Sequence, residues 1–330
     1  VSEFPPPPVR RPVLDHPTRA FVARHTCPPP ADGPALTQAR TSLRRLQDLV
    51  DDRLDEEATS AEWLALPGGP TGHVQVKVVR PVDTVGPIPV VLFLHGLGWV
   101  LGDAVTHDRL VRDLALGTDA AVVFVEYERA PEARYPVAVE QCYAVAKWIY
   151  ERGDQIGLDG SRMAAVGDSA GANLVAALTL LAKQRGGVRL VQQVLLCPVV
   201  DSDFDTPSYQ EFAQGYFLDR ETMQWFWDQY LPDVRQRGEP TASPLRASLD
   251  QLAGLPPALV VTSEADVVRD EGEAYAAKLR EAGVAVVSMR YHGVIHDFMV
   301  LNPLRGTDAA RAALIQTLDT LHVALHKPHR

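Results

Sequence analysis

Gly167-Asp168-Ser169-Ala170-Gly171 sets a hydroxyl between two glycines, after the apolar run Met163–Val166 and before a segment of small apolar residues that runs to Leu178. A serine hydroxyl is a weak nucleophile until a base removes its proton. The G-x-S-x-G spacing, placed between strand and helix, puts the serine on a strained turn that lifts its oxygen above the sheet. Gly167 and Gly171 relieve crowding where strand and helix nearly collide. Asp168 reads as orienting or local structural chemistry, because Ser169 already occupies the tip of the turn. A base and an orienting acid must then follow, in the order serine, acid, histidine, at the ends of later strands.

Two downstream segments supply them. "LVVTSEADVVRDE" is a strand ending near Thr262 and offers Glu264, Asp266 and Asp270. Asp266 sits in the loop after the strand and is assigned as the orienter. Asp270 starts or caps the next helix and reads as structural. "VVSMRYHGVIHDFMV" offers His292 and His296. His296 follows the flexible Gly293 and can reach back over the sheet, so it is assigned as the base; His292 reads as a structural loop group. A third segment, "FLHGLGW" (93–99), leaves an apolar run through a glycine-rich turn. Attack on an ester carbonyl places charge on its oxygen, which needs fixed donors. The N–H groups of Gly96 and Leu97, with that of Ala170, are the expected oxyanion donors. His95 is expected to brace the loop, Gly98 to permit its tight path, and Trp99 to wall the substrate pocket. Phe212, Tyr216 and Phe217 are expected to line the same pocket.

These residues need a scaffold. Val74, Val76 and Val78 alternate as in a sheet strand, while Val90–Leu94 is apolar throughout and predicts a strand buried on both faces. Similar runs lie at 120–125, 163–166, 190–197, 258–262 and 284–289. Helical stretches are predicted near 104–116, 137–152, 170–185, 270–282 and 307–325. Repeated strand and helix predict an α/β fold, a mostly parallel sheet flanked by helices, with ligands collected at the carboxyl ends of the strands. The first 36 residues carry two proline clusters and predict an irregular surface wrap. Thr37 is expected to cap a helix to about Glu57, with Leu43, Leu46, Val50 and Leu54 along one side. Its Arg40, Arg44 and Arg45 precede an acidic end, an arrangement unfavourable for the helix dipole. The aromatic-rich stretch from Asp201 predicts a helical insertion in which Asp219 caps a helix carrying Met223, Phe226 or Trp227, and Tyr230. The organisation expected is an N-terminal surface segment and cap helix (1–69), a catalytic domain in two parts (70–200 and 250–330), and a helical cap insertion (201–249).

Bulk composition narrows the function classes. The 330 residues are 46% apolar and 22% charged, ordinary for a soluble globular protein, with a formal net charge of −10. With no basic stripe interleaved with aromatics, nucleic acid is not an expected partner. No run of about 18 apolar residues predicts a membrane span. "VSEFPPPPVRRP" lacks the apolar centre of a signal peptide, so a cytoplasmic location is expected, with processing of the N-terminus left open. Cys27, Cys142 and Cys197 are too far apart for a close-spaced metal motif and read as small buried hydrophobes. His16, His25, His73, His107, His322, His326 and His329 read as structural or exposed. Neither a metal nor a cofactor is expected.

Taken together, these segments resemble the hormone-sensitive-lipase-like family of α/β-hydrolases, in particular its bacterial carboxylesterases, over about residues 70 to 320. His95-Gly96-Leu97-Gly98 is similar to the family's HGGG oxyanion signature, and Gly167–Gly171 matches its GDSAG elbow in full. Asp266-Val267-Val268-Arg269-Asp270 resembles the D-P-L-R-D segment of the family's acid. His296 falls on its histidine, with Asp297 where Gly is common, and "YERAPEARYP" (127–136) resembles its Y-R-L-A-P-E segment. The resemblance implies an α/β-hydrolase fold with a two-part helical cap, hydrolysis of a small acyl ester by water, short acyl chains, and, for some members, a homodimer. Leu97, Val267 and Asp297 depart from the pattern. The rival readings are an amidase, lactonase or peptidase using the same triad, and a non-catalytic binding protein on the same fold. Dehalogenase and epoxide hydrolase chemistry would require Asp in place of Ser169, and no G-x-G-x-x-G follows the first strand as a nicotinamide site requires.

Overall fold

The computed structural model describes residues 12–27, 32–48, 57–82, 84 and 86–326. One sheet contains β1 (Thr59–Pro67), β2 (His73–Pro81), β3 (Ile88–Leu94), β4 (Ala121–Glu126), β5 (Leu158–Asp168), β6 (Gln192–Leu196), β7 (Ala258–Ala265) and β8 (Val286–Ile295). Their order is β1-β2-β4-β3-β5-β6-β7-β8. β2 runs antiparallel to both β1 and β4, and every other pairing is parallel. The helices are α1 (His16–Val22), α2 (Gly33–Gln47), α3 (Asp108–Thr118), α4 (Val137–Arg152), α5 (Ala170–Arg185), α6 (Pro207–Glu211), α7 (Arg220–Tyr230), α8 (Arg269–Glu281) and α9 (Asp308–His326), with a short helical turn at Leu249–Leu252. Of these, α3, α4, α5, α8 and α9 pack on the sheet. The mostly parallel sheet flanked by helices is what the alternation predicted, and the architecture is the α/β-hydrolase fold that the resemblance implied.

Every residue of β3 and β6 is buried, as strands covered on both faces must be. β1 was not read from sequence, and its burial explains why. It is an outer strand whose residues are mostly exposed, Trp63 among them, so it carries no apolar period. The sheet therefore starts at Thr59, ahead of the boundary drawn at residue 70. β8 also runs farther than predicted, to Ile295, which puts His292 on the strand and His296 directly beyond its end.

The N-terminal region is more regular than its prolines suggest. α1 is capped by Asp15, whose carboxylate accepts from the Thr18 N–H at 2.7 Å. In α2 the cap position is Asp32, not Thr37, which lies in the second turn. This helix ends at Gln47; Val50 and Leu54, expected to continue it, lie outside the described residues. With the end at Gln47, Arg44 and Arg45 fall in the last turn, where cations complement the dipole. Arg40 grips the Glu132 carboxylate at 2.7 and 2.9 Å and donates to the Val100 carbonyl at 2.8 Å. The Gln47 amide donates to the carbonyls of Thr106 and Val300. Polar anchors to loops at the carboxyl ends of the strands thus add to the burial of Leu36 and Leu43. In the 201–249 stretch, Asp219 caps α7 as expected, accepting from Thr222 N–H at 2.7 Å. Met223, Phe226, Trp227 and Tyr230 are all buried.

The crossing of β5 and α5 fixes the centre of the molecule. Residues 170–182 of α5 are buried without exception, so this helix has no polar face. A Cβ on Gly171 would stand 1.9 Å from the Leu94 carbonyl oxygen, a backbone atom that cannot swing aside. Gly171→Ala should therefore destabilise the fold by about 1–3 kcal/mol or more through overpacking. The check is the urea midpoint at unchanged slope, which must fall relative to the parent protein.

Candidate functional site

Ser169 lies between β5 and α5 with φ 51° and ψ −117°, the strained conformation that the elbow requires. β7 ends at Ala265 and releases Asp266, while β8 ends at Ile295 and releases His296. The parallel order β5-β6-β7-β8 brings all three residues to one rim. There His296 Nε2 is 2.8 Å from Ser169 Oγ, and His296 Nδ1 is 2.8 Å from Asp266 Oδ2. The arrangement fits a triad. Asp266 accepts further bonds from the Ser263 hydroxyl at 2.8 Å and the Val268 N–H at 3.1 Å, so its loop is fixed without the proline that Val267 replaces. All three side chains are nearly inaccessible, at 1–3% exposure, which keeps bulk water from competing for their hydrogen bonds.

The alternative acids and histidine lie elsewhere. The His292 ring pairs with Glu264 at 2.9 Å on the exposed side of β8. The Asp270 carboxylate accepts from the Ser208 N–H at 2.8 Å and faces Arg269, in a structural role. His95 is fully buried, and burial drives its pKa well below the ordinary histidine value, so the ring is neutral. It stacks on Tyr127 at 4.0 Å, and the Tyr127 hydroxyl donates to the His95 carbonyl at 2.7 Å. The "YERAPEARYP" segment thus supports the glycine-rich loop from behind: Ala130 N–H donates to the Trp99 carbonyl and Arg129 to that of Gly102.

The expected oxyanion donors need one correction. Gly96 N–H donates to Asp168 Oδ1 at 3.1 Å and is committed to holding the loop. A Cβ there would stand 2.1 Å from Asp168 Oδ2, so only glycine permits this approach. Among the described residues, the N–H groups of Leu97 and Gly98 have no hydrogen-bond partner. Ala170 N–H is at the first position of α5, where no carbonyl of the helix can accept it. Leu97 adopts φ 65°, which shows how its backbone follows a path usually left to glycine. The Gly98 amide was missed because the sequence assigned that glycine to loop geometry alone.

Asp168 also reaches His107, Oδ2 to Nε2, at 3.2 Å. Burial works against charge on His107, yet Asp168, the Asp103 carbonyl and Asp297 together hold its pKa above the ordinary value. Read from sequence as structural, His107 is therefore part of the tie between elbow and loop. Burial likewise opposes charge on His296, but Asp266, Asp297 and Asp168 together raise it. Cys197 is buried, as read from sequence, and its Sγ lies within 4.8 Å of a His296 nitrogen and an Asp266 oxygen. All three cysteines are free and buried.

Of the four expected pocket residues, Trp99 and Phe212 are corrected by their burial: both are 0% exposed. Trp99 stacks on Tyr230 at 4.2 Å and meets Trp227 edge-on at 5.0 Å, so it packs the loop against α7. Phe212 lies under the Arg269 guanidinium, 5.0 Å away, and meets Tyr216 edge-on. Phe217 is also buried, 5.4 Å from the Phe21 ring, while Tyr216 stays half-exposed. Phe226 of α7, not singled out as a pocket residue, lies over the oxyanion loop: a Cβ on Gly98 would stand 2.2 Å from its ring.

The comparisons with known proteins agree with this geometry. A family model described as alpha/beta hydrolase fold matches residues 91–300. The chain is 35% identical to carboxylesterase NlhH of Mycobacterium tuberculosis over 302 residues, 90% of this chain and 91% of that one. It is 33% identical to the ethyl acetate hydrolase of Pseudomonas putida over 290 residues, 86% of this chain and 89% of that one. A solved thermostable esterase from Pseudomonas putida ECU1011 superposes with a TM-score of 0.91 at 44% identity, covering 96% of this chain and 99% of that one. With the elbow, acid and histidine brought to one rim of such a sheet, the chain belongs to the hormone-sensitive-lipase-like family of α/β-hydrolases and is a carboxylic ester hydrolase.

Proposed function

We propose that this enzyme cleaves esters of short-chain carboxylic acids through a covalent acyl-Ser169 intermediate. The observation that carries the reading is the unbroken relay of two 2.8 Å contacts from Asp266 through His296 to Ser169. His296 Nε2 takes the Ser169 proton as Oγ attacks the acyl carbon, and Asp266 holds the ring by Nδ1 and stabilises the imidazolium. The amides of Leu97, Gly98 and Ala170, fixed by the loop and by α5, receive the developing oxyanion. His296 then protonates the departing alcohol, and a water activated by the same nitrogen releases the acid.

Support for a small acyl group comes from Phe226 over the loop, from half-exposed Tyr216, and from the similarity to an ethyl acetate hydrolase. We further assign the cap to the N-terminal helices together with residues 201–249. Cys27 N–H donates to the Phe217 carbonyl at 2.9 Å, and Phe21 meets Phe217, which ties the two parts together.

Incubation with an activated ester should give a stoichiometric acyl adduct on Ser169 by mass spectrometry, and Ser169→Ala should give none. Turnover by that variant should fall at least ~10⁴-fold. No adduct and no turnover across an ester series would refute the mechanism. His296→Ala should lose a similar factor, whereas His292→Ala, which removes an exposed partner of Glu264, should change turnover little. In a graded 4-nitrophenyl ester series, kcat/KM should peak at the short acyl chains; a maximum at long chains would refute the assigned preference.

A further inference from the structure

One carboxyl in the site has no part in the relay. Asp297 follows the base directly, is 3% exposed, and holds φ at 57°, in the left-handed region. Its Oδ1 lies 3.5 Å from His296 Nε2 and has no hydrogen-bond partner among the described residues. Ser169 Oγ is 2.8 Å from the same nitrogen. Nε2 therefore faces two oxygens of opposite effect: a hydroxyl that must give it a proton, and a carboxylate that stabilises a proton already there.

On balance, with burial foremost, the surroundings raise the pKa of Asp297 to about 7, so its carboxylate is present near and above neutral pH. Asp266, from the loop after β7, and Asp168, at the end of β5, push Asp297 toward its neutral form, as does burial, the largest influence. His296 and His107 act in the opposite direction, favouring the carboxylate. Cys197, after β6, and Cys27, in the N-terminal segment, have thiols that burial holds protonated, so neither adds a charge. When ring and carboxyl hold one proton between them, it rests either on the ring, as an ion pair, or on Asp297. Only a ring with bare Nε2 can take the Ser169 proton.

We propose that Asp297 is a positioning residue for the His296 proton: its carboxylate retains that proton on Nε2 and so sets how alkaline the medium must be before His296 can act as the base. The proposal rests on the reading of His296 as the base. An opposite charge this close, shielded from water, stabilises the charged ring, and its removal should release the proton at lower pH.

The test is the pH dependence of kcat/KM for 4-nitrophenyl acetate, an uncharged ester, followed at a wavelength insensitive to ionisation of the product. Asp297→Asn keeps the side-chain volume and tolerates the left-handed backbone. It should move the midpoint of the acidic limb down by about one pH unit or more, making the variant about tenfold faster than the parent well below the parent's midpoint. Asp297→Gly, which suits the backbone even better, should move the midpoint the same way and serves if the Asn variant does not fold. The ring resonances of His296 by NMR should follow the same displacement, a readout that a purely structural role for Asp297 would leave in place. A midpoint unchanged or raised in both variants, with His296→Ala inactive, would overturn the proposal and leave the triad reading intact. Activity retained in His296→Ala would overturn both.

Discussion

The crossing at Ser169 is the constraint on which the rest of the structure depends. β5 must stop, reverse its local direction through a positive φ, and enter a helix whose first turn touches the end of β3. Both the nucleophile and the Ala170 amide are consequences of that crossing. The strain at Ser169 is of the order of 1–3 kcal/mol. It persists because α5 is enclosed along most of its length and cannot relax outward. The Ser169 N–H is also held from the far side by the Leu196 carbonyl at 2.8 Å, which binds the elbow to the next strand of the sheet.

The glycine-rich loop depends on the same crossing. Asp168 is the residue before the nucleophile, yet its carboxylate serves the loop, accepting the Gly96 amide and facing His107. One side chain thus sets the distance between Ser169 and the glycine-rich loop. Behind the loop, Tyr127, His95 and Phe124 form a stack, and Trp99 packs into the aromatic group on α7. Oxyanion donors are effective only when they need not move as charge develops, and this loop is packed from both sides. The carboxylates near His296 have a different consequence. They hold the ring in place while favouring its protonated form, so geometry and proton affinity are set by overlapping groups.

The N-terminal helices show how charge and position work together away from the chemistry. Arg40 and Arg44 reach across to the loops around Val100, Asp103 and Glu132, and Gln47 bridges the carbonyls of Thr106 and Val300. These anchors join the start of the chain to segments on either side of the catalytic rim. Their strength lies in buried or half-buried hydrogen bonds to backbone carbonyls, because exposed ion pairs add little by themselves.

The sequence by itself determined the reaction class, hydrolysis of a carboxylic ester, and most of the sheet. Ser169 was legible because glycine spacing, strand and helix all specify one local conformation. β3 and α5 were legible because burial on every side leaves an uninterrupted apolar record. Asp266 could be told from Asp270 by its distance from the strand end, and His296 from His292 by the flexible Gly293 that precedes it, both local properties. Elements with little burial left no such record: β1 is mostly exposed, and α1 is a short helix of about two turns marked only by Asp15 and Pro17. The tertiary structure alone decided which amides remain free for an oxyanion, since the commitment of Gly96 depends on Asp168, 72 residues away in the chain. It also decided that Trp99 packs rather than lines a pocket, and that Asp297 points at the reacting nitrogen instead of solvent. Such outcomes are set by contacts between distant segments, and no local pattern of residue types encodes the direction in which a particular N–H or carboxylate will face.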